Sequence, residues 1–146
     1  RKINIEFYKS PLPQHLHAEC LELFEKNMGG LYRQSSWGLD MKKKEEEFLH
    51  ENARYLIVTF DDACDAASQN GPPQVLAFSH FRFEVDDDDQ PRQEVLYLYE
   101  IQIHAIIQRN GVGKRLMQIL EVMAMQMKMR KVMLTVFENN VDAMKF

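Results

Sequence analysis

The stretch QRNGVGKRL, residues 108–116, decides how the chain is read. It holds two of the six glycines and lies between a long apolar run and a segment of helical periodicity. Several phosphate-loop patterns compete for it, and spacing separates them. A Walker-type loop needs G-x-x-x-x-G-K-[ST]. Gly113 and Lys114 suit it, but the first glycine would fall on Gln108 and the Ser/Thr on Arg115. A dinucleotide fingerprint needs G-x-G-x-x-G. Gly111 and Gly113 suit that, but the third glycine would fall on Leu116.

The remaining pattern is Q/R-x-x-G-x-G/A, the pyrophosphate loop of acyl-coenzyme A transferases. Gln108, Gly111 and Gly113 meet it without adjustment. The first N–H groups of a helix lack internal partners and point outward, and the helix dipole adds partial positive charge. An anion docks there when no side chain blocks the approach. Lys114 and Arg115 add cationic help. The competing reading is a glycine-containing turn that binds nothing, and the motif alone does not choose between them.

Composition narrows the class. A chain of 146 residues corresponds to one domain large enough for a buried core. Its 45% hydrophobic and 27% charged residues are those of a soluble globular protein. A net charge of -4 argues against a general nucleic-acid binder. No run approaches the roughly 20 apolar residues of a membrane span. The start, RKINIEFYKSPLP, has no apolar signal region and no Met. Cys20 and Cys64 form no C-x-x-C pair and read as free thiols. The five histidines are scattered, and His15 and His17 would not face one way on a helix, so no metal is expected.

Periodicity orders the elements. Residues 14–28 place Leu16, Cys20, Leu23, Phe24 and Met28 on one helical face, which Gly29-Gly30 is expected to end. A linker, LYRQSSWGLD, follows. Residues 40–52 read as a charged helix with Asp40 as N-cap and Met41, Phe48 and Leu49 as its apolar side. Strands are expected at 54–60, 75–85, 94–103 and 131–137, with polar loops between the first three. The run Val95 to Tyr99 lacks polar alternation, as in a central strand covered on both faces. Between the last two strands, Leu116, Ile119, Leu120, Met123 and Met127 form one helical face. The methionines there read as core filler. NNVDAMKF begins another helix. The strand–GxG helix–strand unit implies a parallel pair joined by a crossover.

These segments resemble the GCN5-related N-acetyltransferase (GNAT) superfamily: an acyl-donor strand, the glycine loop and its helix, then KVMLTVFENN with an Asn past the next strand. LYRQSSWG, LAFSHFRFEV, EVLYLYEIQ and KVMLTVFENN are more closely similar to the NatD-type N-terminal acetyltransferases of core histones, over roughly residues 31–146. The resemblance implies an α/β fold, a mixed central sheet flanked by helices. It implies one acetyltransferase domain over 1–146, truncated at both ends and lacking the final strands. It further implies acetyl transfer from acetyl-coenzyme A to the N-terminal Ser of histones four and two-A, which begin Ser-Gly-Arg-Gly, by direct attack of the amine on the thioester. The expected partner is a basic histone tail, with neither nucleic acid nor membrane. The expected state is a monomer in cytoplasm and nucleus. The acidic stretch DDDDQPRQ is longer than the family suggests.

Site residues follow. Glu100 stands in an otherwise apolar strand, where an unpaired carboxylate is costly and its pKa tends to rise. It reads either as the base or as a Glu paired with a nearby Lys or Arg. Tyr97 and Tyr99, two apart on one strand face, could bind the peptide terminus or relay a proton; core packing competes. Glu84 and Asp86 also share a face, as paired carboxylates suited to the guanidinium of the third substrate residue. Asp87 to Asp89 read as a solvated loop. Tyr32 and Trp37 lie in the segment that walls the peptide groove in this family, with Trp37 alternatively a loop anchor. Ile101, Gln102 and Ile103 would offer backbone groups to the pantetheine arm. Arg109, Asn110, Gly111, Val112, Gly113 and Lys114 would hold the pyrophosphate. Thr135 and Asn140 would reach the coenzyme arm. Two rival functions remain: an acetyltransferase for lysine or a small amine, and a coenzyme- or histone-binding module without turnover.

Overall fold

The structure, a computed structural model, describes residues 2–34, 40–61, 74–87 and 92–135, with only the backbone of 31–34. Trp37, Asp88, Asp89, Asn140, the side chain of Tyr32 and the helix expected from NNVDAMKF lie outside the described residues.

The first element was missed in the sequence. Ile3–Lys9 forms an edge strand, β1. Its alternation of Ile3, Ile5 and Phe7 with Asn4, Glu6 and Tyr8 is period two. It is little buried, so its place comes from pairing rather than from a core face. Helix α1 (Gln14–Gln34) then runs straight through Gly29-Gly30, against the expectation that the glycines end it. A helical glycine costs only about 1 kcal/mol relative to alanine. Packing along a face carrying Leu16, Cys20, Leu23, Phe24 and Met28 outweighs that. Helix α2 (Met41–Leu49) is capped as expected: the Asp40 carboxylate accepts from the Lys43 N–H at 3.2 Å. Its buried side differs. Leu49 is exposed, and the two buried side chains are Phe48 and Lys44.

Strand β2 (Arg54–Phe60) falls where expected, and β3 (Ala77–Asp86) and β4 (Gln93–Ile103) are close to it. A short 3-10 turn (Ala105–Ile107) leads to helix α3 (Val112–Gln126) and strand β5 (Val132–Leu134). The sheet order is β1-β2-β3-β4-β5. All neighbours are antiparallel except β4 and β5, which are parallel, as the strand–helix–strand unit requires.

Two cores lie on opposite sheet faces. Leu16, Phe24 and Phe48 from α1 and α2 pack with Tyr55, Ile57 and Phe78 on one. Val112, Leu116, Leu120 and Ala124 from α3 pack with Leu56, Phe81, Leu96 and Leu98 on the other. Met127, expected on that helical face, is 54% exposed because α3 has ended beneath it. Cys20 is a buried free thiol.

Candidate active site

The site depends on one irregularity. His80 pairs with Glu100, but Phe81 pairs with Leu98, so Tyr99 has no opposite residue. This is a β-bulge, one extra residue in β4. Strict alternation would send Tyr99 and Glu100 to opposite faces. With the bulge, both lie on the α1/α2 side: Tyr99 stacks on His80 (centroids 5.2 Å apart) and Glu100 meets Lys44 of α2. Tyr97, 4.9 Å from the Tyr99 ring, and Gln102, which accepts from Asn27 of α1, share that side. Leu96, Leu98, Ile101 and Ile103 join the α3 core. The signal was present in the sequence as a phase slip: core-facing positions run 96, 98, then 101, 103.

Glu100 is nine-tenths buried, and each carboxylate oxygen accepts a hydrogen bond. Lys44 Nζ donates to Oε1 at 2.9 Å and Gln102 Nε2 donates to Oε2 at 2.6 Å. Of the two sequence readings, the structure therefore contains the pairing with a lysine. Burial pushes the carboxyl pKa up, and Lys44 and Gln102 oppose this. Lys44 also reaches Glu47 at 2.9 Å and lies over the Phe24 ring at 4.7 Å. Burial pulls the ammonium's pKa down, but Glu100 and Glu47 more than reverse that. Lys44 was missed because it stands in KKKEEE, which reads as a solvated charge run.

The remaining polar groups of this face form a second set. The Tyr99 hydroxyl donates to Glu84 Oε1 in a short contact. Burial, and then Glu84, push the Tyr99 phenol up to about 12. The Arg82 guanidinium lies 4.2 Å over the Tyr99 ring. It donates from Nε to His80 Nε2 at 3.1 Å and from Nη2 to the Glu47 carbonyl at 2.9 Å. Arg82 and His80 were also missed: both sit in the strand expected at 75–85, where only Glu84 was singled out. Asp86 pairs with Lys131 at 3.5 Å, and its side chain is only 10% exposed. The Tyr97 hydroxyl and Thr135 Oγ1 share a hydrogen bond at 2.6 Å. The structure thus brings Glu84, Tyr97, Tyr99, Glu100 and Thr135 together on or beside one stretch of β4.

The glycine loop lies past the end of the same strand. Arg109 and Gly111 both have positive φ, 67° and 79°, with Asn110 between them on the ordinary side. Alternating handedness of this kind turns successive N–H groups toward one point. A Cβ at Gly111 would meet nothing within 4 Å, so the approach is open. The first helical bond at this end runs from the Arg115 N–H to the Gly111 carbonyl, 3.0 Å. The N–H groups of Val112, Gly113 and Lys114 have no acceptor among the described residues. Arg109, Lys114 and Arg115 are exposed. This cradle fits a pyrophosphate. The Gln108 side chain donates to the Ile103 carbonyl at 3.0 Å, holding the loop to the strand end. Among the described residues, β4 pairs with β5 from Leu96 to Leu98, and β4 itself runs on to Ile103. The Ile103 carbonyl also accepts from Asn27, so a pantetheine arm would rely on the backbone of Ile101 and Gln102.

Comparison with known proteins agrees with this geometry. Residues 17–146 match the profile of the Acetyltransferase (GNAT) family, and the chain belongs to that family. An aminoglycoside acetyltransferase from an uncultured soil metagenomic sample superposes with TM-score 0.65 at 14% identity, over 99% of this chain and 84% of that one. A ribosomal-protein-alanine N-acetyltransferase from Brucella melitensis biovar Abortus gives TM-score 0.67 at 17% identity, over 98% and 86%. A GNAT family acetyltransferase from Staphylococcus aureus gives 0.62 at 12%, over 96% and 90%. The family uses acetyl-coenzyme A.

Proposed function

We propose that the chain is an N-terminal α-amino acetyltransferase that acetylates the first residue of a basic histone tail, the Ser-Gly-Arg-Gly start of histones four and two-A, in cytoplasm and nucleus. The observation that carries this reading is the bulge in β4. It sets a carboxylate and two phenols on one sheet face of the strand that leads into the glycine loop.

Bound acetyl-coenzyme A supplies a thioester. The chain's residues must present an unprotonated amine to it. An α-amine has a pKa of about 7.7–8.0, against about 10.4 for lysine. At pH 7 its deprotonation costs about 1 kcal/mol, and that of lysine about 4.6. A modest base is then enough, and most of the rate comes from positioning. Glu100 takes the proton through water, since its carboxylate has lone pairs beyond the two used by Lys44 and Gln102. Tyr99, with its phenol up to about 12, stays protonated and acts as a hydrogen-bond partner of the peptide rather than as a base. Tyr97 acts likewise, linked to Thr135. Glu84 and Asp86 receive the guanidinium of the third residue. Their present partners, the Tyr99 hydroxyl and the Lys131 ammonium, are groups an arginine fork can displace.

The test is direct. The chain is incubated with acetyl-coenzyme A and a Ser-Gly-Arg-Gly peptide, with the same peptide N-blocked, and with an internal-lysine peptide. Acetylation of the free terminus alone supports the proposal. Transfer to the lysine peptide would make it a lysine or small-amine acetyltransferase. Binding without turnover would leave a binding module.

A further inference from the structure

The buried polar contacts outside the reacting groups converge on one side chain, Lys44. It comes from helix α2, 56 residues before Glu100 of β4. Its side chain is 10% exposed, and that of Glu100 8%. Burying two charges is unfavourable unless geometry and further hydrogen bonds compensate. Here they do: Glu47 closes on the ammonium, Phe24 lies beneath it, and Gln102 fills the second carboxylate oxygen. Gln102 is itself held by Asn27 of α1. A packed apolar pair would serve stability at least as well. The retained pair has a consequence that an apolar pair lacks, since the ammonium favours the ionised form of a buried carboxylate and points it one way.

We propose that Lys44 is a positioning residue for catalysis: from α2 it holds the Glu100 carboxylate ionised and in a single orientation, so that it can accept the proton of the incoming amine. The inference rests on Glu100 being the base of the proposed reaction. Other charged groups on this face do not replace Lys44. Glu47 on α2 is anionic and works against ionisation of Glu100. His80, opposite Glu100 on β3, is held neutral, with its pKa lowered to about 3 by burial and then by Arg82, Lys44 and His50. Arg82 is turned to Tyr99, His80 and the Glu47 carbonyl. Glu84 is engaged with the Tyr99 hydroxyl. From α1, the contact comes through neutral Asn27.

Removing the ammonium must raise the pKa of Glu100, so that the base is lost first at low pH. The experiment measures kcat/KM on the Ser-Gly-Arg-Gly peptide from pH 6 to 9.5 for wild type, Lys44→Met, Lys44→Arg and Glu100→Gln. Rates are expressed as ratios to wild type, which cancels the titration of the substrate amine. Lys44→Met is expected to fall at least tenfold below wild type at pH 6.5 and to recover toward it by pH 9.5. Lys44→Arg, which keeps the charge, is expected to show a flatter ratio. Glu100→Gln is expected to stay low at every pH. Thermal unfolding and calorimetric binding of coenzyme A check that each variant is folded. A folded Lys44→Met whose ratio is independent of pH, beside an inactive Glu100→Gln, overturns the role of Lys44 alone. A Glu100→Gln variant near wild type overturns Glu100 as the base. Should Lys44→Met fail to fold, the carboxyl resonance of Glu100, assigned by its loss in Glu100→Gln, is titrated in Lys44→Arg and in Lys44→Gln. A pKa unchanged by Lys44→Gln overturns the proposal.

Discussion

Glu84 and Asp86 each have a partner already, and what those partners are determines how substrate selectivity should respond to mutation. Glu84 accepts the Tyr99 hydroxyl, and Asp86 faces Lys131. If the two carboxylates read the third residue of the peptide, replacing that arginine by alanine should cost about 1.5–3 kcal/mol, roughly 10- to 150-fold in kcat/KM. Lysine should recover only part, because a point charge cannot fill two forked acceptors. In the double variant Glu84→Ala, Asp86→Ala, the difference between arginine and alanine peptides should flatten while coenzyme affinity holds. Peptide competition kinetics check this, and a double variant that still prefers arginine at full strength places selectivity elsewhere. The carboxylate pair was legible in the sequence, because two acidic residues two apart on a strand must share a face. Their occupied state was not, since Tyr99 lies 15 residues from Glu84.

At the scale of the element, α3 and α1 give opposite lessons about glycine. Gly111 caps α3 with φ of 79°, a conformation costly for a β-branched residue. Gly111→Val should lower coenzyme A affinity at least tenfold, both by distorting the loop and by placing methyls in the open approach. Gly111→Asn, which tolerates that conformation, should lose less. Isothermal calorimetry measures both, and equal affinity across the three would remove the loop from the coenzyme site. Gly30 is exposed inside α1, and a Cβ there meets nothing within 4 Å. Gly30→Ala should therefore stabilise the protein by about 0.4–1 kcal/mol. Urea unfolding checks it, and a loss of stability would mean that α1 ends before the glycines after all. The two cases separate by conformation. One glycine holds a left-handed position that the motif announces, and the other is an ordinary helical residue whose breaker signal packing overrides.

At the scale of the whole molecule, His80 ties the layers together. It touches Phe48 of α2, Tyr55 of β2 and Tyr99 of β4, and accepts from Arg82. Its pKa is lowered from 6.5 to about 3, chiefly by burial. The folded protein thus keeps His80 neutral at pH values where the unfolded chain protonates it. The unfolded state binds more protons, so this contribution is complete above about pH 6.5 and is lost as pH falls toward about 3. One such group adds a slope of up to about 1.4 kcal/mol per pH unit. His80→Phe keeps a ring against the same neighbours, and should remove that slope between pH 6 and 4.5 even if it lowers stability at pH 7. Urea unfolding across this range tests it, with an unchanged slope as the contrary result.

What the sequence by itself determined is local. Hydrophobic period placed α2, β2, β3, β4 and α3, Asp40 announced the start of α2, and glycine spacing located the turn that opens α3. These depend on residues within a few positions of one another, so a linear reading reaches them. Tertiary structure decided the rest. It placed β1 at the sheet edge, where pairing rather than burial specifies it. It carried α1 through two glycines, because the packing of a whole face exceeds a cost of about 1 kcal/mol per residue. It inserted Tyr99 as the extra residue of a bulge, which only the partner strand's register defines. And it put Lys44 against Glu100 across 56 residues of chain, where a charge that reads as solvated became buried because a carboxylate that pairs with it arrives from another element.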